Sequence, residues 1–134
     1  VTSGVGMKES AESYAFRAAK KLEALGVPSS RLIACPAQFT GWNRTSHSAR
    51  AVREKLKEMG IQPKGINVVT AGPHARQTWV AYRRIMSEVC PVGIISVPKP
   101  YYEAERWWLS SYGLRWVPKD FIAWLKEVLI GPRS

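Results

Sequence analysis

His74 and Arg76 are the residues best placed by type and spacing to do chemistry. They stand directly after Gly72-Pro73 in the run INVVTAGPHARQTWVAYRR, residues 66–84. An imidazole titrates near neutrality and can move a proton. A guanidinium stays charged and grips carboxylate or phosphate through paired hydrogen bonds. In the first turn of a helix both would sit beside free backbone N–H groups and the positive end of the helix dipole. A second cluster, Arg44-Thr45-Ser46-His47-Ser48, offers a guanidinium and hydroxyls at another helix start. A third, Ser3-Gly4-Val5-Gly6, is a permissive turn that can bring backbone N–H groups to a ligand. It is too short for a Walker motif and wrongly spaced for a dinucleotide fingerprint. Each cluster also has a plainer reading. Gly72-Pro73 can simply turn the chain, Thr45 or Ser46 can simply cap a helix, and Ser3 to Gly6 can simply let the chain leave a strand. No hydroxyl or thiol has a visible base partner, so no covalent nucleophile follows. No grouping of His, Cys or carboxylates has metal spacing, and no cofactor is assigned.

The elements that must position these residues follow from periodicity. Ile66, Val68 and Val69 read as a buried strand. Pro73 suits the opening of a helix, where its missing N–H costs nothing. Ala75, Trp79, Tyr82, Met86 and Val89 then share one helical face, with Arg76, Arg83 and Arg84 away from it. Upstream, Val1-Thr2 reads as a strand tail. Residues 10–25 read as a helix ended by Gly26, and residues 31–35 as a second strand. An aperiodic loop with Gln38, Phe39 and Trp42 leads to a helix bearing Ala49, Val52, Leu56 and Met59 on one face. Downstream, residues 92–97 form a further strand, Pro98-Lys99-Pro100 breaks regular structure, and YYEAERWWLSSYG forms a short helix and turn. Residues 118–129 form a last helix with Phe121, Trp124, Leu125 and Val128 inward. A basic amphipathic helix of this kind can lie on a membrane, but packing on the sheet is the commoner fate.

The order strand–helix, repeated four times, predicts one parallel sheet with helices on both faces. The loops after the strands then meet at one sheet edge, where open α/β sheets hold their ligands. Ser3, Gly4, Arg44, Thr45, Ser46, Gly72, His74 and Arg76 are the candidate ligand-binding residues of that rim, with His74 the catalytic candidate.

The chain has 134 residues, one domain's worth, with 46% apolar and 22% charged residues. That is the composition of a globular protein. No apolar run approaches a membrane span, and there is no signal-peptide pattern. Twenty Lys and Arg against 10 Asp and Glu give a formal charge of +10, which favours anionic partners. The basic residues form no block, and no RNP or zinc-finger signature accompanies them, so no specific nucleic acid is expected. Cys35 and Cys90 lie at or next to strand-like runs, where a thiol behaves as a small hydrophobe. The opening VTSGVG reads as the end of a strand and a glycine turn, which predicts a further N-terminal piece before it.

Several stretches in order carry a family resemblance: the TSG turn, ALGVPSSRLI, NRTSHSA, VVTAGPHARQTWVAYRR and GIISVPKPYYEAERWWLSS. Together they resemble the YdcF/SanA/ElyC-type bacterial family over nearly the whole chain. Gln77 stands where many relatives carry a second arginine, and His47-Ser48 where many carry Glu-Asn. The resemblance implies a Rossmann-like three-layer sandwich spanning residues 1–134, without its N-terminal strand–helix unit. It also implies a role in envelope or peptidoglycan precursor metabolism, in the bacterial cytoplasm or at the inner membrane. The partner expected is an anionic small molecule, nucleotide-like or a lipid-linked phosphate. A non-catalytic envelope-associated binding or scaffold module is the alternative, and a nucleic-acid-binding domain drawn by the +10 charge is the third reading.

Overall fold

The computed structural model describes residues 2–5, 14–37 and 43–131, the first stretch by its backbone alone. The protein is mixed α/β with parallel strands, and it divides into two compact units, Val1–Gln62 and Pro63–Ser134.

In the first unit β1 (Thr2–Val5) pairs in parallel with β2 (Ala34–Ala37), Thr2 opposite Ala34 and Val5 opposite Ala37. Between them runs α1 (Tyr14–Ala24), and after them α2 (Arg44–Glu58). Both helices end by the same device. Gly26 takes φ 94° and donates to the Glu23 carbonyl, while Val27 donates to Leu22. Gly60 takes φ 65° and donates to Lys57, while Ile61 donates to Leu56. A glycine in the left-handed region satisfies the last carbonyls without a Cβ penalty. Ala15, Cys35, Ala37, Ala49, Val52 and Leu56 are buried here.

Three expectations change in this unit. Strand β1 continues through Val5, so Ser3 and Gly4 are ladder residues opposite Cys35 and Pro36 rather than a turn. The second strand begins at Ala34, because Pro28 starts a 3₁₀ turn over Ser29–Arg31, with Arg31 N–H on the Pro28 carbonyl at 2.9 Å. Met59 lies past the end of α2 and is exposed. Gly6, Gln38, Phe39, Trp42 and the expected helix start at Ser10 lie outside the described residues.

In the second unit β3 (Ile66–Ala71) pairs in parallel with β4 (Val92–Val97), Ile66 opposite Val92 and Ala71 opposite Val97. Helix α3 (His74–Met86) connects them and buries Ala75, Thr78, Ala81, Tyr82, Ile85 and Met86. The predicted stripe holds except for Val89, which lies past the helix end and is exposed. Trp79 is pinned to the sheet by its indole N–H on the Val92 carbonyl at 3.0 Å. The strands are not fully buried: Ile66, Val68 and Thr70 are half-covered, whereas Val69, Ile95 and Val97 are exposed.

A 3₁₀ stretch, Ala104–Leu109, leads into α4 (Ser111–Ile130). Helix α4 is longer than its hydropathy predicts. It starts where Ser110 accepts a capping bond from the Gly113 N–H, and it runs through Pro118 with one backbone bond missing. Its inward face is also not the predicted one. Gly113, Asp120 and Glu127 are buried, while Phe121, Leu125 and Val128 are exposed and Trp124 is intermediate. Arg84, expected on the solvent side of α3, reaches Glu127 instead (Nη1 to Oε1, 3.2 Å) and donates to its main-chain carbonyl (Nη2, 3.0 Å).

Candidate functional site

Strands β3 and β4 are parallel, so both release the chain at the same edge of their sheet. Gly72 follows β3 with φ 58°, the left-handed region that glycine enters without strain. Its N–H bonds the Val97 carbonyl at 2.9 Å, and its own carbonyl accepts from Ser96 Oγ at 3.1 Å. The turn is therefore stitched to the end of β4. The stitching is close: a Cβ at Gly72 would lie 3.1 Å from the Tyr102 hydroxyl and 3.2 Å from Lys99 Cδ and Cε.

Asp120 of α4 completes the cluster. Its side chain is 10% exposed, with Lys99 Nζ 3.4 Å from Oδ2 and His74 Nδ1 3.9 Å from Oδ1. The first contact is a charge-assisted hydrogen bond; the second is an ion pair when the imidazole is protonated. Lys99 also lies 5.7 Å from the centre of the Trp116 ring. The Tyr102 hydroxyl is buried and has no hydrogen-bond partner among the described residues. Its pKa is raised, chiefly by burial, with Asp120 and Tyr112 acting in the same direction and Lys99 against them. A neutral phenol is thus held ready to donate.

Beside this cluster lies a cavity of about 730 Å³ within the second unit. Gly72, Arg76, Tyr102 and Asp120 line it, together with Trp79, Trp107, Phe121 and Trp124. Arg76 is exposed, and its guanidinium has no ion-pair partner among the described residues. His74 is half-buried and meets the cavity through Asp120.

The backbone contribution differs from expectation. The Ala75 and Arg76 N–H groups, expected to be free at the helix start, bond the Gly72 and Pro73 carbonyls at 3.1 and 3.3 Å. Tight i→i+3 bonds of this kind are one way a helix satisfies its first donors. An anion at this edge meets side chains, not a row of open backbone donors.

The remaining candidates belong to the first unit. Ser3 and Gly4 lie in β1. Arg44 opens α2 and is exposed, Thr45 is half-buried, and Ser46 is buried. Neither Thr45 nor Ser46 occupies the cap position. Asn43 does, with φ 54° and no side-chain capping bond, because the helix begins two residues earlier than a Thr45 cap requires. The structure thus brings Gly72, His74 and Arg76 together in the second unit, and sets Arg44, Thr45 and Ser46 together at the start of α2.

Lys99, Tyr102 and Asp120 are the site residues that the sequence did not announce. One signal was available: Gly113, Asp120 and Glu127 recur every seven residues, which puts one small and two acidic residues on a single face of the helix. Among the described residues no group of three or more His, Cys, Asp or Glu could hold a metal, and no helix is long and apolar enough to cross a membrane. No family model, curated protein or solved structure matches this chain.

Proposed function

We propose that the second unit binds a small anionic compound, phosphorylated or nucleotide-like, in the cavity at the edge where β3 and β4 end. The observation that carries this reading is that Arg76 and the Tyr102 hydroxyl, neither with a partner among the described residues, both line the cavity. Asp120, the acid on that wall, is already held by Lys99, so it repels an anion less than a free carboxylate would. Arg76 holds the anion, Tyr102 donates from inside, and Gly72 keeps the turn tight enough for both.

His74 with Asp120 behind it supports a further step, proton transfer to or from the bound compound. The resemblance to the YdcF/SanA/ElyC-type family extends the proposal to an envelope or peptidoglycan precursor, to a Rossmann-like sandwich, and to membrane association of the full-length protein. A binding role without chemistry is the second reading. The 3.9 Å between His74 and Asp120 favours it, because that distance lies beyond hydrogen-bond reach.

The test is a binding screen with nucleotides, nucleotide sugars and undecaprenyl phosphate, followed by Arg76→Ala. A charge-assisted hydrogen bond contributes about 1.5–3 kcal/mol, so Arg76→Ala is expected to weaken the best ligand roughly tenfold to a hundredfold. His74→Ala should lower turnover more than affinity if the imidazole moves a proton. Equal affinity in wild type and Arg76→Ala would remove the reading.

A further inference from the structure

We infer that the ligand of this cavity is an anion carrying a planar aromatic group, bound with the ring against the tryptophan wall. The inference rests on the anion reading above and adds the class of the ligand's body. Size comes first. A water molecule takes about 30 Å³ of liquid, and an inorganic anion is only a few times larger. A cavity of about 730 Å³ leaves most of its space unfilled by such an ion. Spaces of roughly 300–1,000 Å³ with apolar walls and a few placed polar groups hold organic ligands.

The chemistry of the wall narrows the class. Trp79, Trp107, Phe121 and Trp124 line the cavity, and each is held by a neighbour. The Trp79 ring nitrogen is bonded to Val92, and the Arg83 guanidinium lies 5.0 Å from its ring centre. Phe121 and Trp124 pack with ring centres 5.5 Å apart, and Trp107 meets Trp108 edge-on at 6.0 Å. Rings fixed in this way lose little freedom when a ligand stacks on them.

The spacing suits a short link between charge and ring. Arg76, which holds the anion, is three residues from Trp79 on α3, and both line the cavity. Those two side chains are therefore neighbours about one helical turn, roughly 5.4 Å, apart. An aryl phosphate or a compact nucleotide spans that distance.

Isothermal titration of the 134-residue chain with inorganic phosphate, octyl phosphate and 2-naphthyl phosphate tests this. The naphthyl ester is expected to bind at least about tenfold tighter than either of the others, the scale of one aromatic stack. Trp124→Ala should bring it down to the level of phosphate, and Trp124→Phe should keep most of the gain. Arg76→Ala should weaken phosphate and the naphthyl ester alike. Naphthyl phosphate binding no tighter than phosphate, with both still dependent on Arg76, overturns the inference and leaves the anion reading standing. Octyl phosphate binding tightest overturns the aromatic assignment in the same way. Binding of none of the three in an Arg76-dependent manner removes both. Trp124→Phe gives the control for folding, because it keeps an aromatic ring at that position.

Discussion

Arg84 and Glu127 are joined twice, once through the carboxylate and once through the main-chain carbonyl of Glu127. That carbonyl lies in the last turn of α4, where it also accepts the Gly131 N–H at 3.1 Å, so the guanidinium takes its second lone pair. One guanidinium therefore neutralises a buried acid and adds a second bond to the end of the helix that carries it. Arg84 lies in the last turn of α3, so the end of one helix is fastened to the end of the other.

The two halves of this link should differ when cut. Arg84→Ala leaves the Glu127 side chain, only 5% exposed, without its partner. Stranding a buried charge costs about 3–5 kcal/mol. Glu127→Ala leaves Arg84, which is 26% exposed and retains the carbonyl, so roughly 1–2 kcal/mol is expected. Denaturant unfolding followed by tryptophan emission measures this, since Trp79, Trp107, Trp108, Trp116 and Trp124 all lie in the second unit. Equal losses in the two variants would show that the carbonyl bond contributes nothing.

Gly113→Ala should destabilise although alanine is the better helix former. A Cβ there would run into the main-chain carbonyl of Trp107, in the 3₁₀ stretch before α4. Alanine gains about 0.8–1.0 kcal/mol in helix propensity, against about 1–3 kcal/mol for overpacking. A net loss in the unfolding midpoint is the expected result; an unchanged or higher midpoint would mean that the stretch shifts freely.

Tyr102→Phe should move stability and binding in opposite directions. The hydroxyl is buried without a partner among the described residues, and an unsatisfied buried polar group is unfavourable by about 1–3 kcal/mol. Removing it should leave the ligand-free protein equally stable or more so. If the hydroxyl serves the ligand, the same variant should bind it several-fold more weakly. Loss of stability together with unchanged affinity would contradict both halves.

Alkaline pH should weaken the fold through its thiols. Cys35 and Cys90 are free and buried, and burial raises both pKa values above the ordinary 9.0. The folded state then keeps protons that the unfolded state gives up, so stability is whole below about pH 9 and falls as pH rises beyond it. Thiol labelling should be slow in the native protein and fast in denaturant. The alkaline loss should shrink in Cys35→Ser and Cys90→Ser. A pH profile flat to 10.5 would rule out the linkage.

Much of this was legible in the sequence, and the parts that were not have physical reasons. The 66–84 run gives β3, the turn and α3 because local signals agree: β-branched residues, then Gly-Pro, then a 3.6-residue period. The same signals place Gly72 at the turn and His74 and Arg76 in the first turn of α3. The inward face of α4 was misread because hydropathy treats Asp120 and Glu127 as outward, and their partners, Lys99 and Arg84, are distant in sequence. Lys99 looked like part of a proline break, and Tyr102 like one aromatic among many. The Ala75 and Arg76 N–H groups looked open because sequence does not show whether a first helical turn tightens.

Gly72 has one more consequence, and it concerns handedness. An L-alanine there fails twice: its backbone resists φ 58°, and its methyl presses on Lys99 and Tyr102. A D-alanine, introduced by chemical ligation, favours positive φ and sends its methyl in the other direction. The mirror-image residue should therefore keep the turn where the L-residue strains it.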